Sequence, residues 1–225
     1  MDEFKTNEAM APELGLATVN SETNLAFQGF NFLDTKTVKE AFGIAKMLSQ
    51  SDLVPATYKN KPANVLIAMQ MADKTKLDIL TVMSSLYIVQ GRPSWSGQYC
   101  IMAVNGCGRF EPLKFQWFHE DAKNPERVTG CVAYAKEKNS DSVCYGTKVD
   151  DEMVKGFGWD SKAGSMWLKG GMRNQMFMYR CAAFFARTYC PEVLCGLYTA
   201  DENRDIAGKY DDVIEEPKVS FKKGV

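Results

Sequence analysis

Apolar residues recur at a helical spacing in two early stretches. In DTKTVKEAFGIAKMLSQ, which begins at Asp34, the spacing sets Val38, Phe42, Ala45 and Leu48 on one stripe. That predicts an amphipathic helix with Asp34 or Thr35 as its N-cap. A second helix is predicted after Pro62, a residue suited to a first helical turn, with Val65, Ala68, Met69 and Ala72 on its inner face. The period then shortens to two. SLYIVQGRPSWSG, residues 85–97, predicts a strand, a tight turn at Gln90–Pro93 and a second strand. QYCIMAVNGCG predicts a short helix closed by Gly106 or Gly108. FEPLKFQWFHE, VTGCVAYAKEK and SVCYGTKVD predict three more strands, joined by the polar turns DAKNPER and NSD. From Asp150 the pattern is helical again, with a long helix over roughly 163–189 that the pair Gly170–Gly171 would kink or break.

Runs of strands kept apart from runs of helices indicate the α+β class. The expected architecture is a small antiparallel sheet, made of the hairpin plus a three-strand meander, packed with helices. Residues 1–33 are rich in Asn, Thr and Glu without a period and are expected to form a flexible N-terminal arm. Residues 34–206 form the expected core, and 207–225 a charged C-terminal tail.

Composition narrows the function classes. The 225 residues are 45% hydrophobic, enough for one core, and carry a formal charge of −1. That balance excludes a generally basic coat, so a polyanion site must be a local patch. Seven cysteines form no CxxC pair and His119 is the only histidine, so no structural zinc pattern is present and no metal is expected. An odd cysteine count without a signal-peptide core fits a reducing cytoplasm. No apolar run reaches the roughly 20 residues that a membrane span needs.

Arginine recurs at 173, 180 and 187, with Lys169 ahead of the first. At 100° per residue, and with Lys169 at zero, the three arginines fall near 40°, 20° and 0°. Phe177, Met178, Cys181, Ala182, Phe185 and Tyr189 fall between about 80° and 220°, away from the row. The row spans roughly 21 Å at about 1.5 Å per residue, which suits several consecutive phosphates. No Asp or Glu lies between Asp160 and Glu192, so no helical neighbour at i±3 or i±4 compensates Lys162, Lys169, Arg173, Arg180 or Arg187. Such a run would bind a polyanion with strong salt dependence. The alternative is an ordinary solvated face.

The hairpin GRPSWSGQY is a second candidate surface. Arg92 sits at the turn, Trp95 lies between small residues, and Gln98 and Tyr99 follow. An exposed aromatic beside Arg and Gln is what stacking of unpaired bases needs. The alternative buries Trp95, because period two turns every second side chain inward. TADE, residues 199–202, has the form of a capping box with Thr199 as N-cap and Glu202 as N3.

Three stretches, in order, resemble the RecT/Redβ (Bet) family of phage single-strand annealing recombinases. They are PANVLIAMQMADKTKLDILTVMSSLYIV, GRPSWSGQYCIMAVNGCGRFEPL and MRNQMFMYRCAAFFARTYCPEVLCGLYTADE, together roughly residues 60–206. The resemblance implies a Rad52/Redβ-like annealing-protein core. It implies ATP-independent binding of single-stranded DNA and annealing of complementary strands through an annealed duplex intermediate. It also implies a homo-oligomer, a ring or a helical filament, in the bacterial cytoplasm under a phage or prophage gene. In the family a C-terminal region commonly handles a host single-strand-binding protein or a partner exonuclease, which are the further partners implied. The DNA-binding residues carried over within matching motifs are Arg92, Gln98, Tyr99, Lys169, Arg173, Asn174, Arg180 and Arg187, with Trp95 added as the stacking candidate. The sequence has no G-x-x-x-x-G-K-[ST] loop, so neither ATP nor another cofactor is expected. Annealing makes and breaks no covalent bond, so the chain is not expected to be an enzyme.

Other readings remain. Asp150, Asp151 and Glu152 form the densest carboxylate group and would be the start of a metal-dependent nuclease site, although acids at a helix start also serve the cap and the dipole. A passive single-strand-binding protein would protect strands and slow their pairing. A virion structural protein would assemble without DNA.

Overall fold

The structure is a computed structural model that describes residues 34–121, 124–161 and 164–210. The arm expected over 1–33 lies outside them. Asp34 opens α1 (Thr35–Ser49) by accepting from the Lys36 N–H at 3.0 Å. Ala41, Ala45 and Ser49 form its buried line, flanked by the partly buried Val38 and Leu48. Phe42, predicted to face inward, is 43% exposed. The small side chains let α1 lie close on α2 (Pro62–Thr75), which turns the large ring aside. In α2 the predicted face is the buried one, with Leu66 added to Val65, Ala68, Met69 and Ala72.

Lys76, with φ +56°, closes α2 in the left-handed conformation, and Asp78 at once starts α3 (Ile79–Ser85). The Asp78 carboxylate accepts from Thr81 Oγ1 at 2.7 Å and from the N–H groups of Thr81 and Leu80. Those bonds hold its carboxyl below the usual range, the Thr81 side chain first. Seven residues are too few to show a period, so this helix is invisible in the pattern.

The hairpin is β1 (Leu86–Val89) against β2 (Arg92–Trp95), in register from Leu86↔Trp95 to Val89↔Arg92. Its turn is tighter than predicted: Gln90 and Gly91, with φ +50° and +75°, form a two-residue connection that matches the strand twist. Pro93 is therefore inside β2. It is tolerated because the other neighbour of β2 pairs only with Ser94 and Trp95. That neighbour is β7 (Tyr198–Thr199), parallel to β2 and not predicted.

Ser96 caps α4 (Gly97–Gly106). A separate four-stranded sheet follows: β3 (Lys114–Asp121), β4 (Asn124–Lys136), β5 (Val143–Tyr145) and β6 (Val149–Asp150), with β4 pairing all three others. The expectation of one antiparallel sheet is thus corrected to two sheets, one of them mixed. The third predicted meander strand is two short ones: the Gly146 N–H still donates to Ala133 O, and β6 then pairs β4 further along, at Gly130 and Cys131.

Asp150 caps α5 (Asp151–Gly156) by accepting from the Met153 N–H at 3.0 Å, as an acidic helix start suggested. A 3₁₀ turn, Met166–Leu168, precedes α6 (Gly170–Tyr189). The predicted helix of 163–189 is broken at the glycine pair: the 3₁₀ turn ends at Leu168 and α6 begins at Gly170, with φ +31°. A second 3₁₀ turn, Pro191–Leu194, leads to β7 and α7 (Ala200–Tyr210), which runs past Ile206 into the predicted tail. The rest of that tail lies outside the described residues. α6 is the centre of the core. Phe177, Cys181, Ala182, Phe185 and Ala186 have no exposed surface, with α4 on one side and Cys131, Ala133 and Ala135 of β4 on the other. No helix among the described residues is long and apolar enough to cross a membrane.

Candidate nucleic-acid interface

The arginine row exists, but it is not bare. Arg173 reaches Asp151 at the start of α5 and donates to Trp167 O at 3.2 Å. Arg180 pairs with Asp205 of α7 at 2.5 Å, and its guanidinium lies 4.1 Å from the Trp159 ring centre. Arg187 pairs with Glu202 at 2.8 Å and covers Tyr198 at 4.7 Å. Each guanidinium therefore has a carboxylate and an aromatic face. The expectation of an uncompensated run is corrected: the acids come from α5 and α7, far along the chain and adjacent in space. Arg180 is 4% exposed, so it is an internal ion pair and not a phosphate ligand of the folded protomer. Lys162 lies outside the described residues.

Glu202 belongs to two structures at once. Thr199 and Glu202 form the reciprocal capping box of α7: the Thr199 N–H donates to Glu202 Oε2 at 2.8 Å, and the Glu202 N–H donates to Thr199 Oγ1 at 3.3 Å. The same Oε2 takes Arg187. The box that starts α7 is thus also the anchor that closes the last third of the row.

The stacking expectation for Trp95 and Tyr99 is corrected as well. Trp95 has no exposed surface and Tyr99 has 1%. Their rings stack on each other, 3.7 Å between centroids and 6° between planes. Trp95 Nε1 donates to Leu194 O at 2.9 Å, and Tyr99 Oη donates to Val193 O at 2.6 Å. Burial also pushes the Tyr99 phenol up, with the Cys195 and Cys100 thiols adding to it. With strands on both sides, β2 has no open flank at Trp95, so both aromatics pin the hairpin and α4 to the turn after α6.

Six of the nine predicted residues are not buried, and two of them, Arg173 and Arg187, are half-buried and held by their carboxylates. Arg92 is exposed at the hairpin and Gln98 on α4, Lys169 is exposed ahead of α6, and Asn174 is half-buried. Gln98 lines a cavity of about 380 Å³ with Asp78, Thr81 and Met102. Asn174 and Arg173 line a different, polar cleft of about 650 Å³ with Arg127, Lys155, Asp151 and Asp160. The row and the hairpin are therefore separate surfaces in the protomer. Arg127 and Lys155 escaped the sequence reading. Arg127 stood in a predicted turn and Lys155 beside acids, and only the fold brings both to the start of α6. Asp151 and Asp160 partly offset the three cations. Asp150, next to this cleft, is held below the usual carboxylate range, first by the Met153 N–H and then by Lys148.

Among the described residues, no three His, Cys, Asp or Glu side chains are grouped to hold a metal ion. No protein-family model and no curated protein matches this chain.

Proposed function

We propose that the chain is an ATP-independent single-strand annealing protein. It binds single-stranded DNA as a homo-oligomer and pairs complementary strands during phage recombination in the bacterial cytoplasm. One observation carries the reading: the three stretches that resemble the RecT/Redβ (Bet) family fold into one unit. β2 of the second stretch pairs with β7 of the third, Trp95 and Tyr99 bond to Leu194 and Val193, and Asn203 donates to Ser94 Oγ at 2.7 Å. The first stretch supplies β1 to the same sheet. Segments far apart in sequence meet as a single structural core, which supports reading the three stretches as one set.

In this reading the accessible cations supply sequence-independent affinity through phosphates, and base pairing supplies the choice of partner. Arg127, Lys155 and Lys169 at the start of α6, and Arg92 at the hairpin, are the residues positioned to do it.

The test mixes two complementary fluorescent oligonucleotides without ATP at two salt concentrations. Acceleration by the protein that fades at high salt is the expected result. Bound strands with no acceleration would leave a passive binder, and no binding at all would end the reading. Arg127→Ala with Lys155→Ala should weaken binding evenly across sequences and lower the salt slope by about one for each phosphate no longer neutralised.

A further inference from the structure

The four-stranded sheet has two faces of different chemistry. Directly paired residues share a face. Phe115↔Ala133 and Trp117↔Cys131 point into the core. Lys114↔Tyr134, Gln116↔Val132 and Phe118↔Gly130 occupy the other face, and Tyr134↔Tyr145 and Lys136↔Val143 carry it across β5. Phe118, Tyr134 and Tyr145 take no part in the hydrophobic core, and Tyr145 is 53% exposed.

Lysines share this face with the aromatic groups. Lys148 Nζ lies 4.7 Å from the Phe118 ring centre. The Tyr134 and Tyr145 rings lie 5.5 Å apart with 21° between planes; Lys114 stands directly opposite Tyr134 on β3, and Lys136 two residues beyond Tyr134 on β4. Phe118 pairs with Gly130, four residues from Tyr134, so the two aromatic stations are roughly 13 Å apart at about 3.3 Å per residue. Lys136 and Lys148 pair with Asp141 and Asp150, at 2.9 and 3.3 Å. Such exposed pairs exchange readily for another anion. Lys114 has no ion pair among the described residues.

We propose that this outer sheet face is a stacking platform for unpaired bases of a single DNA strand, with phosphates taken by Lys114, Lys136 and Lys148. The proposal rests on the single-stranded DNA reading above and supplies the base stacking that Trp95 and Tyr99 do not. A sheet face carrying aromatic side chains among cations is suited to bases, because every base offers a π-face whatever its sequence. A base held by its face keeps its pairing edge outward, which annealing needs. A second copy of the chain fits less well, since a two-fold interface would set lysines against lysines.

The experiment compares a thymidine oligonucleotide with an abasic one of equal length and charge, by fluorescence anisotropy at fixed salt. The wild-type chain should prefer the base-bearing strand roughly tenfold or more. Tyr134→Ala with Tyr145→Ala, and Phe118→Ala separately, should erase most of that preference and leave abasic binding unchanged. Tyr145→Phe should keep it, and Tyr145→Ser, at a half-exposed position, gives the loss without risk to folding. Equal wild-type affinity for both probes overturns the platform and leaves the DNA reading standing, whereas binding to neither probe overturns both. Variants that keep the preference but change oligomer size in sedimentation make the face an interface between copies, which also overturns it.

Discussion

Arg180 shows how one side chain changes meaning when the chain folds. On a helical wheel it is the middle of a cationic edge, yet it ends beneath α7, paired to Asp205 and lying on Trp159. Removing one partner of a buried pair strands the other charge. Arg180→Ala should therefore lose about 3 kcal/mol in a denaturant titration, and Arg180→Met with Asp205→Leu should lose less than the sum of the two single changes. Glu202→Gln should lose about 1 kcal/mol by weakening the α7 cap and the Arg187 pair, because the Arg187 side chain is 35% exposed. If Arg180→Ala lowered DNA affinity while leaving the unfolding midpoint unchanged, the internal role assigned to it would be wrong.

At the scale of elements, two glycines in helices should respond in opposite directions. A Cβ on Gly97, at the start of α4, would sit 2.5 Å from Tyr179 Cβ on α6. The close approach of α4 to α6 depends on that missing atom, and Gly97→Ala should cost about 1–3 kcal/mol by forcing the helices apart. Gly43, in the middle of α1, has open space where a Cβ would go. Gly43→Ala should add about 0.5–1 kcal/mol, since alanine loses less backbone entropy in a helix. Thermal unfolding of the two variants side by side checks both signs. The helices that show clearly in the sequence, α1 and α2, are those with one buried stripe and a local start signal. α6 misleads because its middle is buried all round, so its apolar stripe does not mark its only covered face.

For the whole molecule, the displaced carboxyl, thiol and phenol groups set the pH limits of the fold. Asp78 and Asp150 are held below their ordinary range in the folded chain, so the unfolded chain binds protons more readily near pH 4. Their contribution is present above about pH 4 and lost as pH falls through the folded values. Burial pushes the Cys100 and Cys190 thiols and the Tyr58 phenol each up to about 12. These groups favour the fold below about pH 9 and withdraw that support as pH rises toward 12. Urea midpoints measured against pH should give a plateau between those limits, with a fall on each side. A flat profile through the alkaline range would contradict the burial of those three groups.

The sequence by itself determined the α+β class, the first two helices, the hairpin, the short helix after it and the helix starts at Asp34–Thr35, Asp150–Glu152 and Thr199, because each depends on neighbours within a few residues. It also determined that the arginines share one stripe, since helical geometry leaves no choice. Only the tertiary structure decided what covers that stripe. Asp151, Glu202 and Asp205 lie 22, 15 and 25 positions from their arginines, and no local period can express a partner at such separations. The same holds for Trp95 and Tyr99, whose burial follows from partners 99 and 94 residues away, and for the parallel pairing of β2 with β7. The lysine and aromatic face of the four-stranded sheet was likewise settled by strand register. Alternation alone gives two faces but does not say which of them the core helix covers.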